Sequence, residues 1–273
     1  MKKNTSPATG YQRVLITGAA GVVGSVMRRE LRGRFPVLRL SDIRDLGKAE
    51  PGEELALADI QDYPAMLELM KGVDAVVHLG GSPEGRDWDT ILRLNIMGAR
   101  NVFEAARQQG VKRVVFASSN HAMGMYSYES FFTPDLPARP DTYYGISKAF
   151  AEDMLRYYWD KYGMEAVCLR IGSFQPEPQD VRQLATWLSH RDAVELVYRS
   201  LAQPQVGYLI VLGFSANSTF PSCDPNAARI GWAPKDNGEN YREAMRAKGL
   251  DVDGARPFKL LGGSFTRPDF DIP

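Results

Sequence analysis

The stretch RVLITGAAGVVG, residues 13–24, decides how this chain folds. Behind one arginine, Val14–Thr17 are aliphatic or β-branched and suit a strand buried on both faces. Thr17-Gly18-Ala19-Ala20-Gly21-Val22-Val23-Gly24 follows directly, and the helical pattern of residues 22–31 begins inside it. Glycine here lets the backbone turn tightly and lets a pyrophosphate approach the helix amino end. There the free N–H groups and the helix dipole favour negative charge. Gly18, Gly21, Val22, Val23 and Gly24 are therefore candidate phosphate contacts. Tight turns use glycine without any ligand too, and only the strand before and the helix after give this motif its weight.

The same alternation continues outward. Buried-strand candidates are Arg13–Thr17, Val37–Leu40, Leu55–Leu57, Asp74–His78, Arg113–Ala117, Ala166–Arg170 and Tyr208–Leu212. Amphipathic helical patterns cover Val22–Leu31, Tyr63–Lys71, Trp88–Gln109 and Thr142–Tyr162. Strands alternating with helices, at lengths that suit right-handed crossovers, predict an α/β fold with a doubly wound parallel sheet. After Arg170 the regularity fades into proline-rich turns (QPEPQD, FPSCDP, RPDFDIP). These suggest a small C-terminal substrate lobe over the sheet's carboxyl edge, mainly within 173–206 and 214–273. The expected organisation is a mobile tail over 1–12 and a single domain over 13–273. The tail begins with lysines but has no apolar stretch behind them, so it is not read as a secretory signal.

Composition narrows the partners. A chain of 273 residues, 44% hydrophobic, suffices for one well-buried core. Lysine plus arginine (33) equals aspartate plus glutamate (33), with no basic stripe, which speaks against nucleic acid or an anionic membrane surface. If the substrate is an anion, its cations must be local. Cys168 and Cys223 lack metal-ligand or disulfide spacing and fit a buried strand residue and a loop thiol in a reducing cytoplasm. No metal site is expected.

Asp42 ends the second strand, 18 residues past Gly24. An acid there accepts hydrogen bonds from the adenosine ribose and repels a 2′-phosphate, so the expected cofactor is NAD rather than NADP. Arg44 is the opposing signal, since an arginine can accommodate that phosphate. Asp59-Ile60 follows the third strand and can cap the adenine; alternatively Asp59 caps the next helix. His78-Leu79-Gly80-Gly81 places small residues where the cofactor backbone passes, with His78 read as structural.

Tyr144 and Lys148 are four residues apart, one turn along one helix face. An ammonium beside a phenol favours the phenolate and lowers its pKa toward working pH, so the tyrosine can take a hydroxyl proton as hydride leaves. Tyr143, five residues from Lys148, points elsewhere. Ser118-Ser119-Asn120-His121 follows the fifth strand, where Ser119 can hold the reacting oxygen against the tyrosine. Ser118 is expected only to satisfy the backbone of the turn. Ser119, Tyr144 and Lys148 form the catalytic trio. Arg182 is a candidate carboxylate clamp, because a planar guanidinium pairs a carboxylate through two parallel hydrogen bonds. Arg170 is read as anchoring strand to loop, and His190 and Asp192 as fixing a helix start.

With these residues in place, the chain resembles the short-chain dehydrogenase superfamily and, within it, the bacterial uronate dehydrogenases. The closer likeness rests on FASSNHAMG (116–124), ARPDTYYGISK (138–148), LRIGSFQPEP (169–178), RQLATWLSHRD (182–192), GWAPKDN (231–237) and GGSF (262–265). The resemblance implies a Rossmann-type domain, usually homo-oligomeric, that oxidises the C1 hydroxyl of a cyclic hexuronate to the aldarolactone with reduction of NAD. Carried over by position, Tyr144 is the general base and Lys148 assists it. Asn95 and Ile171 join the cofactor contacts, while Ser82, Ser119, Asn120, His121, Ser173, Arg182 and Phe265 line the sugar. The chain departs from the family pattern at Pro83, where a serine is usual, and at Pro221-Ser222-Cys223-Asp224, where paired tryptophans precede Asp-Asn. Archaeal sugar-phosphate dehydrogenases share the SSNHA and WLSHRD stretches, which makes a hexose phosphate such as glucose 6-phosphate the competing substrate. Nucleotide-sugar epimerases and dehydratases share the fold and the tyrosine–lysine pair, but the roughly 100 residues after Arg170 leave little to enclose a nucleotide.

Overall fold

The computed structural model describes residues 9–83, 87–252 and 259–271. Seven parallel strands form one sheet: β1 (Arg13–Thr17), β2 (Val37–Asp42), β3 (Glu53–Leu57), β4 (Ala75–His78), β5 (Arg113–Ser119), β6 (Glu165–Ile171) and, last in the chain, β9 (Tyr208–Gly213). Their spatial order is β3-β2-β1-β4-β5-β6-β9. The chain grows one way from β1 to β3 and then starts again on the other side of β1 at β4. A crevice opens at the carboxyl ends where that reversal occurs, which is where doubly wound sheets bind ligands. This is the doubly wound α/β class expected above, and each predicted strand lies in this sheet.

The helices are α1 (Val22–Leu31), α2 (Tyr63–Leu69), α3 (Trp88–Thr90), α4 (Gly98–Gln108), α5 (Tyr143–Tyr162), α6 (Gln183–Thr186), α7 (His190–Ala202), α8 (Pro225–Arg229) and α9 (Arg242–Ala247). Side chains alternate along each strand between two cores, which is why the strands read as continuous apolar runs. Val14, Ile16 and Val115 pack with α1 and α7 on one face. Leu15, Val114 and Phe116 pack with α2, α4 and α5 on the other. Helix α5, which carries the tyrosine and lysine, begins where Thr142 Oγ1 accepts the Gly145 N–H (3.0 Å). It ends at Gly163, whose φ of +70° gives the left-handed turn that glycine tolerates.

The structure corrects several sequence expectations. The rod expected over 88–109 contains a π-helical stretch, Ile91–Met97, between α3 and α4. The tail does not run to residue 12: Tyr11 is buried in the core, and Gln12 N–H donates to Asp74 (2.7 Å). Residues 1–8 lie outside the described residues. The helix start at His190 and Asp192 develops into α7, which the periodicity reading did not include among its helices. A two-stranded parallel pair, β7 (Ser173–Phe174) with β8 (Trp187–Leu188), also escaped it, because two residues carry no detectable period. No helix among the described residues is long and apolar enough to cross a membrane.

Candidate active site

One groove crosses the carboxyl ends of the strands. Its adenosine-side wall includes Gly18, Asp42, Arg44, Asp59, Ile60, Leu79, Gly80 and Gly81. Its other end, which holds the candidate trio, includes Val22, Val23, Gly24, Ser82, Pro83, Ser119, Tyr144, Lys148 and Ile171. Gly18, Gly21, Arg44, Leu79 and Gly81 belong to both halves, which makes the groove continuous.

The turn after β1 needs its glycines. Gly18 has φ +71°, and a Cβ there would lie 2.8 Å from the backbone of Leu79 and Gly80. A Cβ on Gly24 would lie 2.2 Å from the Gly18 carbonyl oxygen, so glycine lets α1 sit against the loop. Gly21 is the N-cap of α1, and no side chain caps that end. The amino end of a ten-residue helix thus faces the groove with no side-chain oxygen of its own, a fitting cradle for a pyrophosphate.

At the tip of β2, Asp42 accepts the Ala20 N–H (3.0 Å), the Arg44 N–H (3.0 Å) and Arg44 Nε (3.3 Å). Burial works to raise its pKa, but these hydrogen bonds outweigh it and hold the carboxyl below its ordinary value. Arg44 is therefore committed to Asp42. The Asp59 carboxylate accepts the Gln61 N–H (2.9 Å) and side-chain amide (3.1 Å), while the cap of α2 is Asp62. His78 is fully buried against Thr17 Oγ1 (2.7 Å), and burial brings it down to about 3. It is a neutral structural residue. Asn95, in the π-helical stretch, does not line the groove. It accepts the Ser82 N–H (2.7 Å) and donates to the Ser82 carbonyl (2.9 Å) and Ser147 Oγ (3.2 Å), which pins the loop that carries Ser82.

Ser119 closes β5, and its Oγ accepts the His121 N–H (3.2 Å) on the side of the site that holds Tyr144. Lys148 Nζ donates to the Ala117 carbonyl (2.8 Å) and lies 5.3 Å from the Tyr144 ring centre. The expected lowering of the phenol pKa is not achieved by the protein alone. Burial pushes Tyr144 up to about 12, the nearby Ser119 hydroxyl only partly opposes this, and the charge of Asp141 adds to the rise. Burial also brings Lys148 down to about 8, with Glu152 opposing it. The physical reason is dehydration: both groups leave water, and the ammonium is directed at a carbonyl rather than at the phenol. Ser118 also differs from expectation, since its hydroxyl donates to Glu152 Oε1 (2.5 Å) rather than to the turn. Glu152 in turn pairs with Arg170 (2.8 Å), whose Nη1 donates to the Leu136 carbonyl (3.1 Å), the anchoring role read from the sequence. Tyr143 packs edge-on against Trp88, away from the trio.

Beside Tyr144 lies a second cluster. Pairing of β7 with β8 brings Ser173 Oγ to Thr186 Oγ1 (2.9 Å), and Arg182 Nη1 donates to that Ser173 oxygen (3.3 Å). Arg182 Nε donates to the Leu261 carbonyl (3.1 Å). In the amide orientation that satisfies both ends, Asn120 donates to the Ile171 carbonyl (3.1 Å) and accepts from Arg182 Nη2 (3.2 Å). His121 lies against Phe265 at 4.2 Å between ring centres, tilted by 31°, and meets Tyr144 edge-on at 5.9 Å. The fold thus gathers Asn120, His121, Ser173, Arg182 and Phe265 from four separate segments. Sequence reasoning missed Phe174 and Gln175 on the groove wall, although they lie within four residues of β6's carboxyl end. It also missed Asp141, buried beneath His121. Of the departures, Pro83 lines the groove. Pro221–Asp224 packs around Phe132 instead, with Asp224 capping α8, so that change touches an adjoining surface.

Residues 14–191 match the NAD dependent epimerase/dehydratase family. The chain is 44% identical to uronate dehydrogenase of Pseudomonas putida over 94% of this chain and 96% of that protein. A crystal structure of uronate dehydrogenase from Agrobacterium tumefaciens, a mutant complexed with NAD, superposes with a TM-score of 0.89 at 41% identity, covering 93% of this chain and 97% of that one. The crystal structure of a glucuronic acid dehydrogenase from Chromohalobacter salexigens gives the same TM-score of 0.89 at 41% identity, covering 94% and 97%. By its fold, its glycine turn and these likenesses, the chain belongs to the NAD dependent epimerase/dehydratase family, with uronate dehydrogenases among its near relatives.

Proposed function

We propose that the protein oxidises the C1 hydroxyl of a cyclic hexuronate, galacturonate or glucuronate, to the aldarolactone with NAD as acceptor. The observation that carries this reading is Arg182, a half-buried guanidinium oriented by Leu261, Ser173 and Asn120 beside the tyrosine. In a chain of zero net charge, such a preorganised cation suits a carboxylate. The uncapped start of α1 and the Asp42 carboxylate fit the pyrophosphate and ribose of NAD, with Gly18, Gly21, Val22, Val23 and Gly24 at the phosphates. Asp59, Ile60, Leu79, Gly80 and Gly81 flank the adenosine side, and Lys148 and Ile171 the other end. When bound, NAD supplies the hydride acceptor and a cationic ring near the phenol. Ser119 holds the C1 oxygen, and Tyr144 Oη takes its proton as the C1–H electron pair departs and the carbonyl forms. Lys148, with its pKa brought down to about 8, is suited to relay that proton toward solvent.

Purified protein with NAD and galacturonate or glucuronate should generate reduced-nicotinamide absorbance, with glucose 6-phosphate as the comparison substrate. Turnover of the hexose phosphate alone would replace this reading with that of a sugar-phosphate dehydrogenase. A cytoplasmic homo-oligomer is part of the proposal. Ile146, Phe150 and Tyr157 on α5 and Met97 beside it are exposed apolar residues that support pairing of copies. Light scattering on the purified protein tests that assembly.

A further inference from the structure

Asp141 has no part in the reaction proposed above. It precedes the N-cap of α5, and its carboxylate is completely buried. Oδ2 lies 2.7 Å from His121 Nδ1, and Oδ1 accepts the Thr142 hydroxyl at 3.1 Å. Three glycines from three segments close around it. A Cβ on Gly124 or on Gly262 would lie 1.8 Å from Oδ2, and one on Gly145 would lie 3.1 Å from Oδ1. Only chains without side chains can approach a carboxylate this closely.

We propose that Asp141 is a positioning residue that fixes the tautomer and orientation of His121, so that His121 offers Nε2 as a hydrogen-bond acceptor to a hydroxyl of the sugar. The substrate half of this rests on the dehydrogenase reading above; the tautomer half does not. A buried carboxylate only accepts hydrogen bonds, so Nδ1 must carry a proton. The other ring nitrogen of neutral histidine then has the lone pair. Nε2 forms no hydrogen bond to another described residue and is not a sealed polar atom, so it is the ring's open side. Packing against Phe265 sets the ring plane, and the Asp141 bond sets its rotation. The glycines exclude water that would otherwise compete for the carboxylate.

The test uses Asp141→Asn, which keeps the shape within the glycine cradle. The Thr142 hydroxyl already accepts the Gly145 N–H and donates toward Asp141. The asparagine oxygen takes that hydrogen bond, which leaves its NH₂ facing Nδ1 and drives the proton to Nε2. Only three histidines are present, so a long-range ¹⁵N–¹H spectrum resolves the three rings, and His121→Gln assigns the relevant one. Wild-type His121 should be protonated at Nδ1, and the Asp141→Asn protein at Nε2. The sugar kcat/KM should fall about 100-fold in Asp141→Asn while the KM for NAD stays within about 2-fold. In the His121→Gln background the same substitution should have no further effect on the sugar kcat/KM. A wild-type ring protonated at Nε2 with bare Nδ1, or an equal loss in both backgrounds, would overturn the proposal. If no sugar is turned over, the dehydrogenase reading fails, and the spectrum still decides the tautomer.

Discussion

Replacing Lys148 with methionine should raise the stability of the protein while removing its activity. Burial brings the lysine from its ordinary 10.5 down to about 8. At about 1.4 kcal/mol per pH unit, that displacement means the buried ammonium destabilises the fold by about 3 kcal/mol. Methionine keeps an aliphatic stem but removes the ammonium that lies 4.8 Å from the Phe116 ring centre and leaves the Ala117 carbonyl without its donor, which together cost about 1 kcal/mol. The net gain is about 2 kcal/mol, or a rise in Tm of roughly 4–8 °C for a chain of this size. The pH dependence has a definite sign. Below pH 8 the lysine is charged in both folded and unfolded states, and the full penalty applies. Between 8 and 10.5 the folded protein releases the proton while the unfolded chain keeps it, so wild-type stability rises with pH by about 1.4 kcal/mol per unit. Calorimetric melts of both proteins at pH 7, 8.5 and 10 should show the variant's advantage shrinking as pH rises. The reasoning is refuted if the variant melts at or below wild type at pH 7, or if its advantage is unchanged at pH 10.

Other perturbations probe the remaining parts. Arg182→Met should raise the KM for a hexuronate about 100-fold, the loss of a charge-assisted pair, and leave the KM for NAD unchanged in steady-state assays. Asp42→Ser removes the carboxylate and releases Arg44 to meet a 2′-phosphate. Its kcat/KM with NADP should rise about 100-fold, and parallel titrations with both cofactors check this. His78 is held neutral with a pKa of about 3, so below its ordinary 6.5 the unfolded chain takes up a proton that the fold refuses. Stability should fall by about 1.4 kcal/mol per unit on acidification from pH 6.5 toward 3, about 2 kcal/mol at pH 5. Denaturant titrations of wild type and His78→Asn should differ in that slope; equal slopes would mean the imidazole is not the group being protonated.

The parallel sheet and the candidate cofactor half of the site were legible because their signals are local. A parallel strand is buried on both faces and must be apolar throughout, and a phosphate cradle is one turn plus the residues flanking it. Spacing likewise fixed Tyr144 and Lys148 on one helix face. Local spacing did not reveal the balance of charge between them, because burial is a property of everything packed around α5. Their opposed pKa shifts, up for the phenol and down for the ammonium, follow from that packing. The sugar side was named only through resemblance. Its residues come from loops and two-residue strands, where no periodicity exists to read. The Asp141 cradle is the extreme case: Gly124, Gly145 and Gly262 are unremarkable in sequence and become a single enclosure only when three distant segments meet around one carboxylate. By itself, then, the sequence determined the fold class, the glycine turn proposed for the cofactor and the spacing that makes Ser119, Tyr144 and Lys148 the candidate trio. Tertiary structure decided which groups are desolvated and which partners they keep, because desolvation and hydrogen-bond commitment depend on neighbours the chain brings together only by folding.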